Sequence, residues 1–203
     1  MKLAAEERRH QILEEATKLF SVEGYDKVTT KRLAAACGVT EPALYRYFTS
    51  KEVIYDAVLD SLESRLECDD MYGDLDSEDE IGQLLSRIAS QLLNCSEKHQ
   101  EVYRLLLYSA LGGHSKARAV YQSIRGRHAK YLQSQLDRLL AKGLITNTNT
   151  EITARSFMGM IFDCALGMTL WKNTQGRVYR CDEVVANNIP IFVDGLRRDP
   201  LRR

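Results

Sequence analysis

The tightest constraint on how this chain can fold is a glycine between two short helix-forming segments, in the stretch TTKRLAAACGVTEPALYRYFTSK from Thr29 to Lys51. The segment before it, Thr30 to Ala36, carries Leu33, Ala34 and Cys37 on one side, which predicts a short helix with one buried face. The small side chain of Ala34 lets a second helix cross closely, because a larger one would hold the axes apart. Gly38 follows where a helix C-terminus needs a positive φ, and Val39 plugs the elbow. Thr40 is a good N-cap for the next helix, and Pro42 falls in its first turn, where a missing N–H costs nothing. Leu44 and Phe48, four apart, face inward and leave Glu41, Ala43, Tyr45, Arg46 and Tyr47 on or near the outer faces. This is helix-turn-helix geometry, in which the second helix is shaped to lie in a DNA groove. A hairpin built only for packing would expose ordinary Lys/Glu pairs; here the exposed row is Tyr45, Arg46 and Tyr47.

With those residues in view, Gln11 to Asp60 resembles the N-terminal domain of the tetracycline-repressor (TetR) family of transcriptional regulators. The resemblance rests on four features in combination: the amphipathic ILEEATKLFSVEGYDKVTT, the LAAACGV turn, ALYRYF, and SKEVIYDAV at the start of the following helix. Pro42 stands where many members carry glycine. The resemblance implies an all-α fold of about nine helices, with a three-helix DNA-binding domain over residues 1–50 and a helical effector-binding and dimerisation domain over 51–203. It further implies a homodimer, and a pocket for a small effector whose binding weakens operator affinity.

Charge gives no global sign of a polyanionic partner, since Lys+Arg and Asp+Glu are both 28. Any attraction for DNA is therefore local. Met1 to Glu52 holds 9 basic and 8 acidic residues, whereas Glu63 to Glu80 holds 9 acidic residues and one basic residue, Arg65. That acidic run reads as a solvated inter-helix loop that also repels phosphates. The tail RRDPLRR reads as a solvated terminus. The five cysteines form no C-x-x-C and no secreted-type framework, and the N-terminal region is amphipathic rather than a signal peptide. A cytoplasmic setting is expected, with Cys37 and Cys164 packed as small hydrophobes.

Helical periodicity runs nearly end to end. Ala4 to Glu23 places Ile12, Leu13, Ala16, Leu19 and Phe20 on one stripe behind the helix pair. A fourth helix follows Thr49, with Thr49 and Glu52 at capping-box spacing and Val53, Ile54, Ala57, Val58 and Leu62 expected inward. Ser77 and Glu80 repeat that spacing before Ile81, Leu84, Leu85, Ile88, Leu92 and Leu93. Val102 to Leu111 is apolar nearly all round, as expected of a buried helix, and Gly112-Gly113 ends it. Long helices are expected over Ser115 to Lys142 and Glu151 to Lys172, and a last one over Asp182 to Arg197. No segment shows strand alternation.

The stretch FMGMIFDCALGMTLW, Phe157 to Trp171, is the most hydrophobic in the chain. It is shorter than the ~20 apolar residues a membrane span requires, and it contains Asp163. Core, dimer seam and the wall of a ligand cavity are compatible readings, with Gly159 and Gly167 allowing close approach of another helix. Asp163 must reach solvent, a partner subunit or a ligand, because an unpaired buried carboxylate is costly. Tyr103, Tyr108, Tyr121, Met158, Phe162, Asp163 and Trp171 are the candidates to shape a largely apolar effector pocket with a few polar handles.

No enzymatic motif is present: neither H-E-x-x-H, a Walker loop, G-x-S-x-G nor G-x-G-x-x-G occurs. The histidines His10, His99, His114 and His128 lack zinc-ligand spacing, and His114 and His128 are expected at ordinary polar positions. Neither a metal nor a cofactor is expected. For DNA, Thr29, Thr30, Lys31, Tyr45, Tyr47 and Lys51 are placed to bind phosphates, and Thr40, Glu41, Ala43 and Arg46 to meet base edges. The expected function is a ligand-responsive regulator, a repressor released from a near-palindromic operator by a small, largely apolar effector.

Overall fold

The computed structural model describes residues 2–66, 81–146, 148–171 and 179–197, and the side chains of 2–4 and 63–66 are not among them. Among the described residues the structure is all-α, with nine helices and one isolated β-bridge between Ile145 and Arg197. The helices are α1 (Lys2–Glu23), α2 (Thr30–Ala36), α3 (Glu41–Tyr45), α4 (Lys51–Leu66), α5 (Ile81–Lys98), α6 (Gln100–Leu111), α7 (Ser115–Ala141), α8 (Thr150–Thr169) and α9 (Cys181–Leu196). No described helix is long and apolar enough to cross a membrane. The acidic run beyond Leu66, the Ser77/Glu80 capping box, Cys68 and the tail beyond Arg197 lie outside the described residues.

The chain forms two compact units, one of residues 1–67 with 101–123 and the other of 68–100 with 124–203. In the first, Ile12, Ala16 and Phe20 of α1 form a buried stripe. Leu33 and Ala34 of α2, Leu44 of α3 and Phe48 after it are also buried in this unit. In the second unit α5 packs on α8 and α9. Its stripe of Ile81, Leu84, Leu85, Ile88, Leu92 and Leu93 is fully buried, as its periodicity demands.

Three helix ends obey one rule. After α2, α6 and α7 a glycine takes positive φ, 64° at Gly38, 88° at Gly113 and 71° at Gly143. In each case the next residue's N–H reaches back to satisfy a terminal carbonyl: Val39 to Ala34, His114 to Ser109 and Leu144 to Leu139, each at 3.0 Å. These are Schellman closures, which let the chain turn without leaving orphan carbonyls.

Three expectations require correction. The N-cap of α4 is Ser50 rather than Thr49: the Val53 N–H donates to Ser50 Oγ at 3.2 Å, and the helix starts at Lys51. The inward stripe of α4 is correspondingly rotated. Val53 is 42% exposed, and Tyr55 is completely buried together with Ile54, Val58, Leu59 and Leu62. A tyrosine can occupy that position because its hydroxyl has a partner, Ser109 Oγ on α6. Finally, α6 is not buried all round, since Tyr108 is 58% and Leu111 80% exposed. Only Val102, Tyr103, Leu105, Leu106 and Ser109 face the interior.

Candidate nucleic-acid interface

The sequence sets the start of α3 by local rules. Thr40, in the extended conformation of a cap at φ −80° and ψ 154°, accepts the Ala43 N–H at 3.3 Å, and Pro42 sits in the first turn where no donor is lost.

 The two caps match: Thr29 before α2 has ψ 156° and Thr40 before α3 has ψ 154°. Leu44 and Phe48 are buried, which turns the other side of α3 outward and leaves Tyr45 45% exposed and Arg46 exposed beside it. Tyr47 is half-buried, its N–H continuing the turn to the Leu44 carbonyl at 3.0 Å. Arg9 of α1 lies over the inner Phe48 ring, 4.6 Å from its centroid, so a cation backs the turn from behind.

Around α3 the other candidates fall into two groups. Lys31, Thr29 and Thr40 are exposed, and Thr29 also caps α2 by accepting the Arg32 N–H at 3.2 Å. The remainder are engaged within the fold. Thr30 Oγ donates to the Glu41 carboxylate, tying the start of α2 to the start of α3. Ala43 is half-buried. Lys51 Nζ donates to the Tyr25 carbonyl at 3.0 Å and sits 4.1 Å from the Tyr25 ring centroid. Sequence reasoning missed Tyr25 and Arg9, since neither belongs to the helix pair and both act through contacts distant in the chain. All ten DNA candidates lie in the first unit, within one continuous stretch of chain.

The seven effector candidates divide between the two units. Tyr103, Tyr108 and Tyr121 belong to the first unit and Met158, Phe162, Asp163 and Trp171 to the second. Tyr103, Met158 and Phe162 are buried, Tyr121 is half-buried, and Tyr108, Asp163 and Trp171 are exposed. Asp163 thus reaches solvent in the single chain, the first of the outcomes its charge permits. Tyr108 sits over Gly24, where an added Cβ would come within 2.7 Å of Cε1.

Inside the second unit the Arg125 guanidinium lies 4.6 Å from the Phe162 ring centroid, and the His128 ring is 6.3 Å from it. His128 is buried rather than at an ordinary polar position, and burial, with Arg127 adding to it, lowers its pKa to about 4. An open cleft of about 690 Å³ lies between Ser90, Asn94 and Glu97 on α5 and Cys181, Asp182 and Val185 on α9. None of the seven candidates lines it. Burial pushes the thiols of Cys37, Cys164 and Cys181 up, which keeps them protonated, and Cys164 Sγ accepts from Asn188 Nδ2 at 3.6 Å. Among the described residues no three His, Cys, Asp or Glu side chains group as metal ligands would.

A capped helix, a left-handed glycine elbow and a second helix with a tyrosine-bearing outer face define a helix-turn-helix unit in an all-α fold. A family model of bacterial regulatory proteins, tetR family, matches residues 12–58. Residues 12–58 are thus similar to the N-terminal domain of tetR-family regulatory proteins.

Among curated relatives, nucleoid occlusion factor SlmA of Pasteurella multocida is 45% identical over 67 residues, covering 32% of this chain and 34% of that protein. SlmA of Glaesserella parasuis is 37% identical over 112 residues, covering 54% of each. The chain therefore spans between a third and about half the length of these relatives. Among solved structures, AibR in complex with isovaleryl coenzyme A and operator DNA superposes with a TM-score of 0.70 at 19% identity, covering 91% of this chain and 97% of that one. At that identity the likeness shows the fold.

Proposed function

We propose that this chain is a homodimeric, ligand-responsive DNA-binding transcriptional regulator, a repressor released from a near-palindromic operator by a small, largely apolar effector. The observation that carries the reading is the outward face of α3, with Tyr45 and Arg46 in solvent and Leu44 and Phe48 holding the helix from within. In a dimer two such helices enter successive major grooves about 34–36 Å apart. Thr29, Lys31, Tyr45, Tyr47 and Lys51 set register on phosphates, and Thr40, Arg46 and Ala43 meet base edges. Thr30 and Glu41 act as a pair, the hydroxyl fixing where the carboxylate points. Residues 1–50 form the reading head, and residues 51–203 the effector-binding and dimerisation part. AibR, similar in fold, is described with both a coenzyme A thioester and operator DNA, which supports this division of labour.

Effector release requires differential affinity. A ligand lowers DNA affinity only by the difference in its binding to the two body conformations.

A second reading has its own support: the curated relatives similar to part of this chain are named nucleoid occlusion factors, and a constitutive DNA binder needs no effector cavity. A gel shift of the Tyr45→Ala/Lys51→Ala protein tests the shared DNA claim, and unchanged affinity removes the phosphate assignment. Thermal-shift screening with apolar metabolites separates the two readings. Stabilisation coupled to loss of operator binding supports the effector-controlled regulator, and stabilisation by DNA alone supports the other.

A further inference from the structure

Lys51 is the first residue of α4, five residues beyond the α3 C-cap Arg46. One of its three N–H donors is spent on the Tyr25 carbonyl at 3.0 Å, and the group lies 4.1 Å from the centroid of the Tyr25 ring. A free lysine samples many rotamers. This one is fixed by two contacts to a single residue and retains two N–H donors for an anion.

The Tyr25 ring is itself held. Its centroid lies 4.7 Å from that of Tyr55, 5.9 Å from Phe20 and 5.9 Å from His114. Tyr55, completely buried, stacks edge-on against Phe20 at 5.0 Å and against His114 at 4.7 Å, and its hydroxyl donates to Ser109. His114 in turn caps α7, its Nδ1 accepting the Ala117 N–H at 3.4 Å. The ring under Lys51 is therefore the outer member of a stack that joins the end of α1, the start of α4 and the α6–α7 turn within one compact unit.

We propose that Tyr25 is a positioning residue for DNA binding: its ring and carbonyl, braced by Tyr55 and His114, aim the Lys51 ammonium at a backbone phosphate. Tyr25 makes no DNA contact of its own in this scheme, and its effect passes through Lys51. The inference rests on the reading of Lys51 as a phosphate contact.

The test is the salt dependence of DNA affinity, because each phosphate neutralised contributes a log–log slope of about −0.9 and a lost contact removes it. One contact per protomer makes two per dimer, so Lys51→Gln should flatten the slope by about 1.8 and weaken binding about 30-fold at about 0.15 M salt. Tyr25→Leu keeps the carbonyl and removes the ring. It should flatten the slope in the same direction, and Tyr25→Phe, which still offers a ring face to the ammonium, should restore it. The double variant Tyr25→Leu/Lys51→Gln should be no weaker than Lys51→Gln alone.

A purely structural role for Tyr25 would lower the melting temperature or the active fraction and leave the slope at the wild-type value, so thermal melts and far-UV circular dichroism are run on every variant. A wild-type slope for Tyr25→Leu beside a flattened one for Lys51→Gln overturns the positioning role alone. A wild-type slope for Lys51→Gln overturns the phosphate reading and the inference with it.

Discussion

Replacing Gly38 by alanine isolates the backbone's contribution to the helix-turn-helix elbow. The residue has φ 64°, and a Cβ built on it meets nothing within 4 Å, so no clash with another side chain complicates the outcome. What remains is the cost of holding an L-residue in the left-handed region, about 1–2 kcal/mol. For a chain of this length each kcal/mol moves the melting temperature by about 2–4 °C, which predicts a fall of about 2–8 °C for Gly38→Ala. Asparagine tolerates that conformation better, so Gly38→Asn should fall less.

The same chemical change has the opposite sign elsewhere. Gly126 lies within α7 at ordinary helical φ, again with nothing within 4 Å, and Gly126→Ala should raise stability by up to about 1 kcal/mol through helix propensity and a less flexible unfolded chain. Both are read by thermal unfolding followed by circular dichroism. If Gly38→Ala melts with the wild type, or if both substitutions lower the melting temperature alike, the conformational argument for the elbow is refuted.

Ser50→Ala should cost about 1 kcal/mol by removing the acceptor for the Val53 N–H, and Thr49→Ala should cost little; equal losses in a denaturant titration would reinstate Thr49 as the cap. His128 is held neutral, its pKa lowered from 6.5 to about 4, so the unfolded chain binds the extra proton first as pH falls. Stability should therefore be lost between about pH 6.5 and 4 and the loss should level off below, with roughly 3 kcal/mol at stake. A flatter stability profile for His128→Gln over that window, against the wild type, checks it, and an unchanged profile contradicts it. Thr30→Val should lower stability by about 1–3 kcal/mol, because it strips a hydroxyl donor from the Glu41 carboxylate, and a Glu41→Gln partner in a double-mutant cycle should show coupling between the two.

The parts of this molecule that follow local rules could be read directly from the sequence. Gly38, Thr40, Leu44 and Phe48 each do what their spacing demands, because caps, left-handed turns and four-residue repeats depend on neighbours a turn away. The start of α4 is ambiguous for the same local reason: Thr49 and Ser50 are both competent caps, and the Val53 N–H goes to Ser50. Tyr55 could not be placed inward, since its hydroxyl is satisfied by Ser109, 54 residues on. Lys51 and Tyr25 are 26 residues apart, and Thr30 and Glu41 are 11 apart, so their pairing likewise depends on tertiary structure. The apolar composition of α6 hid its exposed side, because Tyr108 and Leu111 look like core residues until the neighbouring elements are in place.

The most direct test of the central claim is selection of bound sequences from a random duplex DNA pool by the purified chain. Two copies of α3 on a twofold axis require enrichment of a near-palindrome whose two half-sites are centred about one helical turn apart, or a multiple of it. Absence of enrichment, or a single asymmetric site bound by one chain, would contradict that claim.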